Sequence, residues 1–256
     1  MLGRFLAPAS RLDEFALATG RSRPELGVVI DTLGVMDTLG AAPRADQVQA
    51  SAALAGKYAP TAVEALAAGR GPLIGTVAVL LQGLALLPHE TAAYVELPRG
   101  DALADWPLAI ATLGAARTAG RNVGAKIRCA EAGLAAAPTD LQLAQFVVEC
   151  SAAGTPFKAT AGLHHAIRHT QQDGLERHGF LNLLHACALA QRAGTDARAV
   201  AGALAERDAA VVVAGISALT LAEATRVRTD LLVGFGCCAP GEPIEDLSAL
   251  GLLEGL

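Results

Sequence analysis

Cationic residues, aromatic rings and loop-rich linkers are all scarce in this chain. Its 256 residues hold 20 Lys and Arg against 25 Asp and Glu, with one Trp, two Tyr and six Phe. A formal net charge of −5 offers no basic stripe, and so few rings offer no stacking platform, which argues against a nucleic-acid partner. No G-x-G-x-x-G follows the first apolar run, so the best signature of a dinucleotide-binding Rossmann sheet is missing. H-E-x-x-H and G-x-S-x-G are missing as well, which removes the plainest marks of a zinc protease and of a hydrolase elbow. The five cysteines, Cys129, Cys150, Cys187, Cys237 and Cys238, lack C-x-x-C spacing. Their odd number favours reduced thiols in the cytoplasm over a disulfide framework. The apolar run at the N-terminus is too short for a signal-peptide core. With no low-complexity linker and no duplicated sequence, residues 1–256 read as a single domain.

What is present is apolar and small. Hydrophobic residues make up 52% of the chain and charged residues 18%, which excludes wholesale disorder. Gly71–Pro88 carries no charge and reaches the lower edge of a membrane-spanning length. Gly, Pro and Gln82 interrupt it, however, and Leu73–Val79 reads as a buried strand with no membrane role. Elsewhere a unit recurs, made of a short apolar strand, a turn, and an Ala/Leu-rich helix. Strands are expected at Leu26–Asp31, Ala92–Leu97, Asn122–Cys129, Pro156–Ala161 and Leu231–Gly236, and Ala210–Ala214 is a further apolar stretch. Helices are expected over Ala45–Ala68 (broken at Pro60), Leu103–Ala119, Asp140–Ala153, Gly179–Ala193, Asp196–Glu206 and Pro243–Leu250. Strands alternating with helices mean an α/β fold with parallel pairing. Charges within the strand text fit a (β/α)₈ TIM-like barrel, whose mouth takes them, better than a flat sheet covered on both faces. Only six or seven strands can be counted, so one βα unit is expected to be degenerate or missing.

Strand parity selects the candidate site. Lys126 and Arg128 are two apart on one strand, Lys158 and Thr160 on the next, so each pair leaves one face. Converging cations either lower a lysine's proton affinity and make it a nucleophile, or clamp an anion. Glu96 and Asp31, at strand C-terminal ends, are the carboxylates best placed as bases. Solvated strand-end charges are the plain structural alternative. Gly162, Gly234 and Gly236 fit strand-end loops that approach a phosphate, or simple close packing. The stretch 163–173 gathers His164, His165, Arg168 and His169, with His178 and His185 soon after. Imidazole suits proton transfer at neutral pH, and Arg168 suits a phosphate or carboxylate. His165 and His169 are also spaced to bind a divalent metal on a helix, with His178 as third ligand. The structural alternative is that these histidines only brace a loop. Cys237 and Cys238 fit thiolate chemistry or plain packing.

Lys158-Ala159-Thr160-Ala161-Gly162 resembles the K-x-[ST]-x-G strand end of the deoxyribose-phosphate aldolase family of class I aldolase barrels. The resemblance covers about forty residues. It implies a Schiff-base lysine, a second lysine on the next strand that tunes it, and a strand-end acid that shuttles protons. Lys158 as the imine lysine leaves Leu231–Gly236 without the second lysine. Lys126 as the imine lysine makes Lys158 its partner, but Lys126-Ile127-Arg128 then lacks the expected Ser/Thr and Gly. Phe157–His165 (FKATAGLHH), with Arg168, His169 and His178-Gly179-Phe180, also resembles an uncharacterised family of bacterial proteins, which implies no activity. The expectation is therefore a cytoplasmic lyase or isomerase acting on a small anionic carbonyl compound. Lys158 or Lys126, Glu96 and His164 or His165 would be catalytic. Arg128, Thr160, Gly162, Arg168, His169, His178, Gly234 and Gly236 would bind substrate. No cofactor is expected. A metal-assisted hydrolase or lyase using the 164–178 loop, or a non-catalytic anion-binding barrel, is the alternative, and self-association stays open.

Overall fold

The computed structural model describes residues 4–19, 24–30, 45–68, 71–130 and 137–253. Asp31 lies outside the described residues. The chain forms two compact units, Met1–Lys126 and Ile127–Leu256.

The first unit runs β1 (Phe5–Pro8), α1 (Leu12–Thr19), β2 (Leu26–Ile30), α2 (Ala45–Gly56), β3 (Ala62–Leu66), α3 (Leu73–Leu84), β4 (Ala92–Glu96), α4 (Trp106–Thr118) and most of β5 (Val123–Arg128). Each strand pairs in parallel with the next. Residues of alternate parity segregate. Val28, Val63, Val95 and Ala125 are fully buried on one face. The other parity holds Glu64, Tyr94, Glu96 and Lys126.

Two local expectations are corrected here. Ala62–Leu66 is a strand, although its Ala-Val-Glu-Ala-Leu composition favours a helix; pairing on both sides with β2 and β4 overrides propensity. Leu73–Val79 belongs to helix α3. Leu73, Thr76, Val77, Leu80, Gly83 and Leu84 are its buried positions, a three–four spacing that a strand cannot place on one side. Gly83 on α3 fits against Val48 on α2 so closely that an added Cβ would lie 2.5 Å from Val48 Cγ1. Among the described residues no single helix is long and apolar enough to cross a membrane. One sharply bent pair, Ala209–Ser217 with Leu221–Leu231, passes that test by length and composition alone.

The second unit holds the end of β5, α5 (Asp140–Ala152), β6 (Phe157–Thr160), the two-residue strands β7 (His169–Thr170) and β8 (Glu176–Arg177), α6 (Phe180–Ala190), α7 (Ala197–Ala205), α8 (Ala209–Ser217), α9 (Leu221–Arg226), β9 (Leu232–Gly236) and α10 (Gly241–Ala249). Thr139 caps α5 in a reciprocal capping box with Gln142. Phe146 packs edge-on against Phe157 at 5.2 Å, and Phe180 stacks on Phe235 at 5.0 Å. β6 pairs in parallel with β9.

The strand order is β1-β2-β3-β4-β5-β6-β9. Among the described residues seven strands are paired in parallel, which corrects the expectation of a closed eight-stranded barrel to an α/β fold with a parallel sheet. The Ala210–Ala214 stretch, the remaining apolar run between β6 and β9, is helical in α8. Asp208 caps that helix by accepting from Ala210 N–H, and Thr220 caps the next one. A run of helices thus stands where a further βα unit would add a strand.

Candidate functional site

Register builds the first cluster. Glu96 on β4 and Lys126 on β5 are direct cross-strand partners, and Glu64 on β3 pairs with Tyr94, two residues before Glu96. All three charged side chains therefore leave the same face, Glu96 from the last residue of its strand and Glu64 from the middle of its own. Lys126 Nζ lies 2.8 Å from Glu64 Oε2 and 2.6 Å from Glu96 Oε2. The residues are 1% (Glu64), 5% (Lys126) and 8% (Glu96) exposed. Burial by itself would push the ammonium toward its neutral form. The two carboxylates outweigh it by charge and hydrogen bonding, and the Lys126 pKa is raised. That corrects the expectation of a lysine deprotonated by neighbouring cations, since the neighbours are anions. Tyr94 shares the face; burial raises its hydroxyl pKa, while nearby Arg4 works in the opposite direction.

Burying charged groups this deep is a poor way to gain stability. Each ion loses several kcal/mol of hydration, which mutual attraction barely recovers. Glu64 was not legible in the sequence, because its segment reads as helix; its one signal is a lone acid within an otherwise apolar five-residue run.

Lys158 and Thr160 occupy one face of β6, facing Gly234 and Gly236 on β9. Both are buried, and Thr160 Oγ1 has no hydrogen-bond partner among the described residues. Gly234 and Gly236 lie at the end of β9, where the strand Leu231–Gly236 is expected to place them. Their missing side chains leave room for neighbours: an added Cβ would lie 3.3 Å from Thr160 Cγ2 at Gly236 and 4.0 Å from Lys158 Cγ at Gly234. Gly162 is set by backbone need. It has φ +74°, and a Cβ there would lie 2.9 Å from that of Ala130. Arg128 is half-buried at the end of β5.

The histidine stretch divides into bracing and exposed parts. Arg168 is engaged by Asp140 and Glu176, and its backbone N–H donates to Asn182. Those partners occupy the guanidinium that was expected to receive a substrate anion. His178 is buried, with Nε2 2.9 Å from the Pro138 carbonyl and Nδ1 facing Arg168 and Asp140. Burial lowers its pKa. His169 donates from Nδ1 to the Ile167 carbonyl at 3.2 Å, and burial lowers its pKa too. The segment is not helical: His169 lies in β7, paired with β8. The expected His165–His169–His178 metal set is therefore corrected, because His178 is committed to Pro138, Arg168 and Asp140.

His164 and His165 face α10 instead. His164 Nδ1 lies 2.6 Å from Glu242 Oε2 and 3.7 Å from Cys237 Sγ, and its Nε2 lies 3.7 Å from Cys238 Sγ. One turn further along α10, Asp246 accepts from Ala166 N–H at 2.7 Å and from His165 Nδ1 at 3.2 Å. His164, Cys237 and Glu242 each offer a ligand atom, all within 4.8 Å of one another. Burial raises the Cys237 pKa, so without a cation it is a thiol. No family model, curated protein or solved structure matches the chain.

Proposed function

We propose that the chain is an enzyme of the lyase or isomerase type that moves protons on a small carbonyl compound at Glu64, Lys126 and Glu96. The observation that carries this reading is the buried ammonium held between two carboxylates, one of which, Glu96, is the last residue of its strand. Buried charge that reaches the C-terminal end of a parallel strand is a mark of sites, where parallel α/β folds concentrate chemistry.

Glu96 is the more exposed of the two carboxylates, so it is the base. It takes a proton from the carbon next to the carbonyl; the C–H electron pair becomes the C=C bond and the carbonyl π pair moves onto the oxygen. The Lys126 ammonium donates a hydrogen bond to the enolate that forms. Glu64 keeps that ammonium charged. With a hydroxyketone, transfer of the hydroxyl proton to the enolate oxygen and return of the carbon proton to the former carbonyl carbon give the isomer; attack of the enolate carbon on an aldehyde, whose alkoxide takes the proton from Glu96, gives the aldol direction. The imine chemistry implied by the aldolase resemblance requires Lys126 to surrender a proton that both carboxylates hold.

The test is deuterium uptake from D₂O into small ketones, hydroxyketones and 2-oxo acids, followed by proton NMR. Wild type should catalyse exchange, with E96Q at least ~10²-fold slower. Equal exchange by wild type and E96Q would overturn the proposal. A borohydride-trapped adduct on Lys126 would replace the enolate role by the imine one.

A further inference from the structure

We propose that His164, Cys237 and Glu242 form a binding site for a zinc-class divalent cation, with a fourth position open to water or substrate. The site lies wholly within the second unit and is independent of the lysine cluster. Its ligands converge from three elements. His164 follows the turn at Gly162 after β6, Cys237 directly follows β9, and Glu242 sits in the first turn of α10. β6 and β9 are paired neighbours, so both strand ends deliver their ligands to one place.

The donor set of one imidazole, one thiolate and one carboxylate is the borderline-soft mixture that zinc accepts. Zinc–nitrogen bonds of about 2.0–2.1 Å and zinc–sulfur bonds of about 2.3 Å put a tetrahedral nitrogen and sulfur about 3.5–3.6 Å apart. The 3.7 Å between His164 Nδ1 and Cys237 Sγ already fits that spacing. The 2.6 Å hydrogen bond from His164 to Glu242 must open, and the Glu242 side chain, 43% exposed, is free to rotate. Three protein ligands leave one position vacant, as in catalytic zinc sites.

The surroundings hold the ligands in place. Asp246 fixes the loop behind His164 through Ala166 N–H and His165, the kind of supporting contact that orients metal ligands. On binding, Nδ1 gives its hydrogen-bonding role to the cation and the imidazole proton sits on Nε2, facing Cys238 Sγ. The Cys237 thiol proton leaves to solvent, so one proton is released per cation and affinity rises with pH.

The experiment is titration of the untagged full chain, under reducing conditions, with Co²⁺ and then Zn²⁺ in competition. One equivalent of Co²⁺ should give a thiolate charge-transfer band and the intense visible bands of four-coordinate cobalt, both abolished by zinc. C237S should lose the charge-transfer band, and H164Q and E242Q should weaken binding by about 10–100-fold or more. C238S should keep the band. Circular dichroism identifies any variant that fails to fold, and the remaining ligand variants then decide. No binding by the folded wild type, or a band lost in C238S and kept in C237S, would overturn the site.

Discussion

Glu96 and Lys126 are register partners on adjacent parallel strands, and their carboxylate and ammonium meet at 2.6 Å. Glu64, diagonal to both, completes the cluster from the third strand. Removing the cation alone leaves two buried like charges. Lys126→Met should therefore destabilise the protein by about 3–5 kcal/mol at neutral pH, as broken buried pairs do. The triple variant E64Q/K126M/E96Q should recover most of that loss. Urea unfolding of the three proteins checks this, and equal stability of K126M and wild type would show that the cluster is hydrated.

Alkaline pH should weaken the fold in two stages. Burial holds the Cys150 and Cys187 thiols above their ordinary pKa, so the unfolded chain ionises first and stability falls above about pH 8.5. The folded pKa of Lys126 is raised. Its contribution is complete below the unfolded value of about 10.4 and is lost as pH climbs through the folded one. E96Q should shrink the second stage and leave the first, as read from thermal midpoints at successive pH values.

Acid acts through histidine. Burial lowers the pKa of His169, His178 and His185, so the unfolded chain takes up their protons first. Stability should be complete above about pH 6.5 and decline below it. His178→Gln, which keeps an N–H donor for the Pro138 carbonyl, should flatten that decline. An unchanged pH slope in H178Q would place the effect elsewhere.

Gly83→Ala should destabilise despite the better helix propensity of alanine. The new methyl would sit 2.5 Å from Val48 Cγ1 and 2.6 Å from Val48 Cβ, and overpacking of this kind costs about 1–3 kcal/mol. Adding Val48→Ala should restore part of the loss, a coupling that denaturation of the double variant measures.

Much of this architecture was readable from local text. Strands β2, β4, β5, β6 and β9 are short apolar runs at the expected places, and Glu96 ends its strand as its text suggests. What was hidden depended on distant partners. Ala62–Leu66 becomes a strand only between β2 and β4, so Glu64 could not be seen as the third member. The uncharged Leu73–Val79 run fits strand or helix until its buried side is known. The His164–Glu242 contact joins residues 78 apart in sequence, beyond the reach of any local pattern.

The charge on Lys126 itself tests the central claim most directly. Lysine labelled with ¹⁵N, with the Lys126 resonance assigned through K126R, reports the Nζ protonation state across pH. The account predicts an ammonium throughout the neutral range, titrating above its ordinary value of 10.5 and moving lower in E64Q/E96Q. A neutral amine at Lys126 near pH 7 would contradict it.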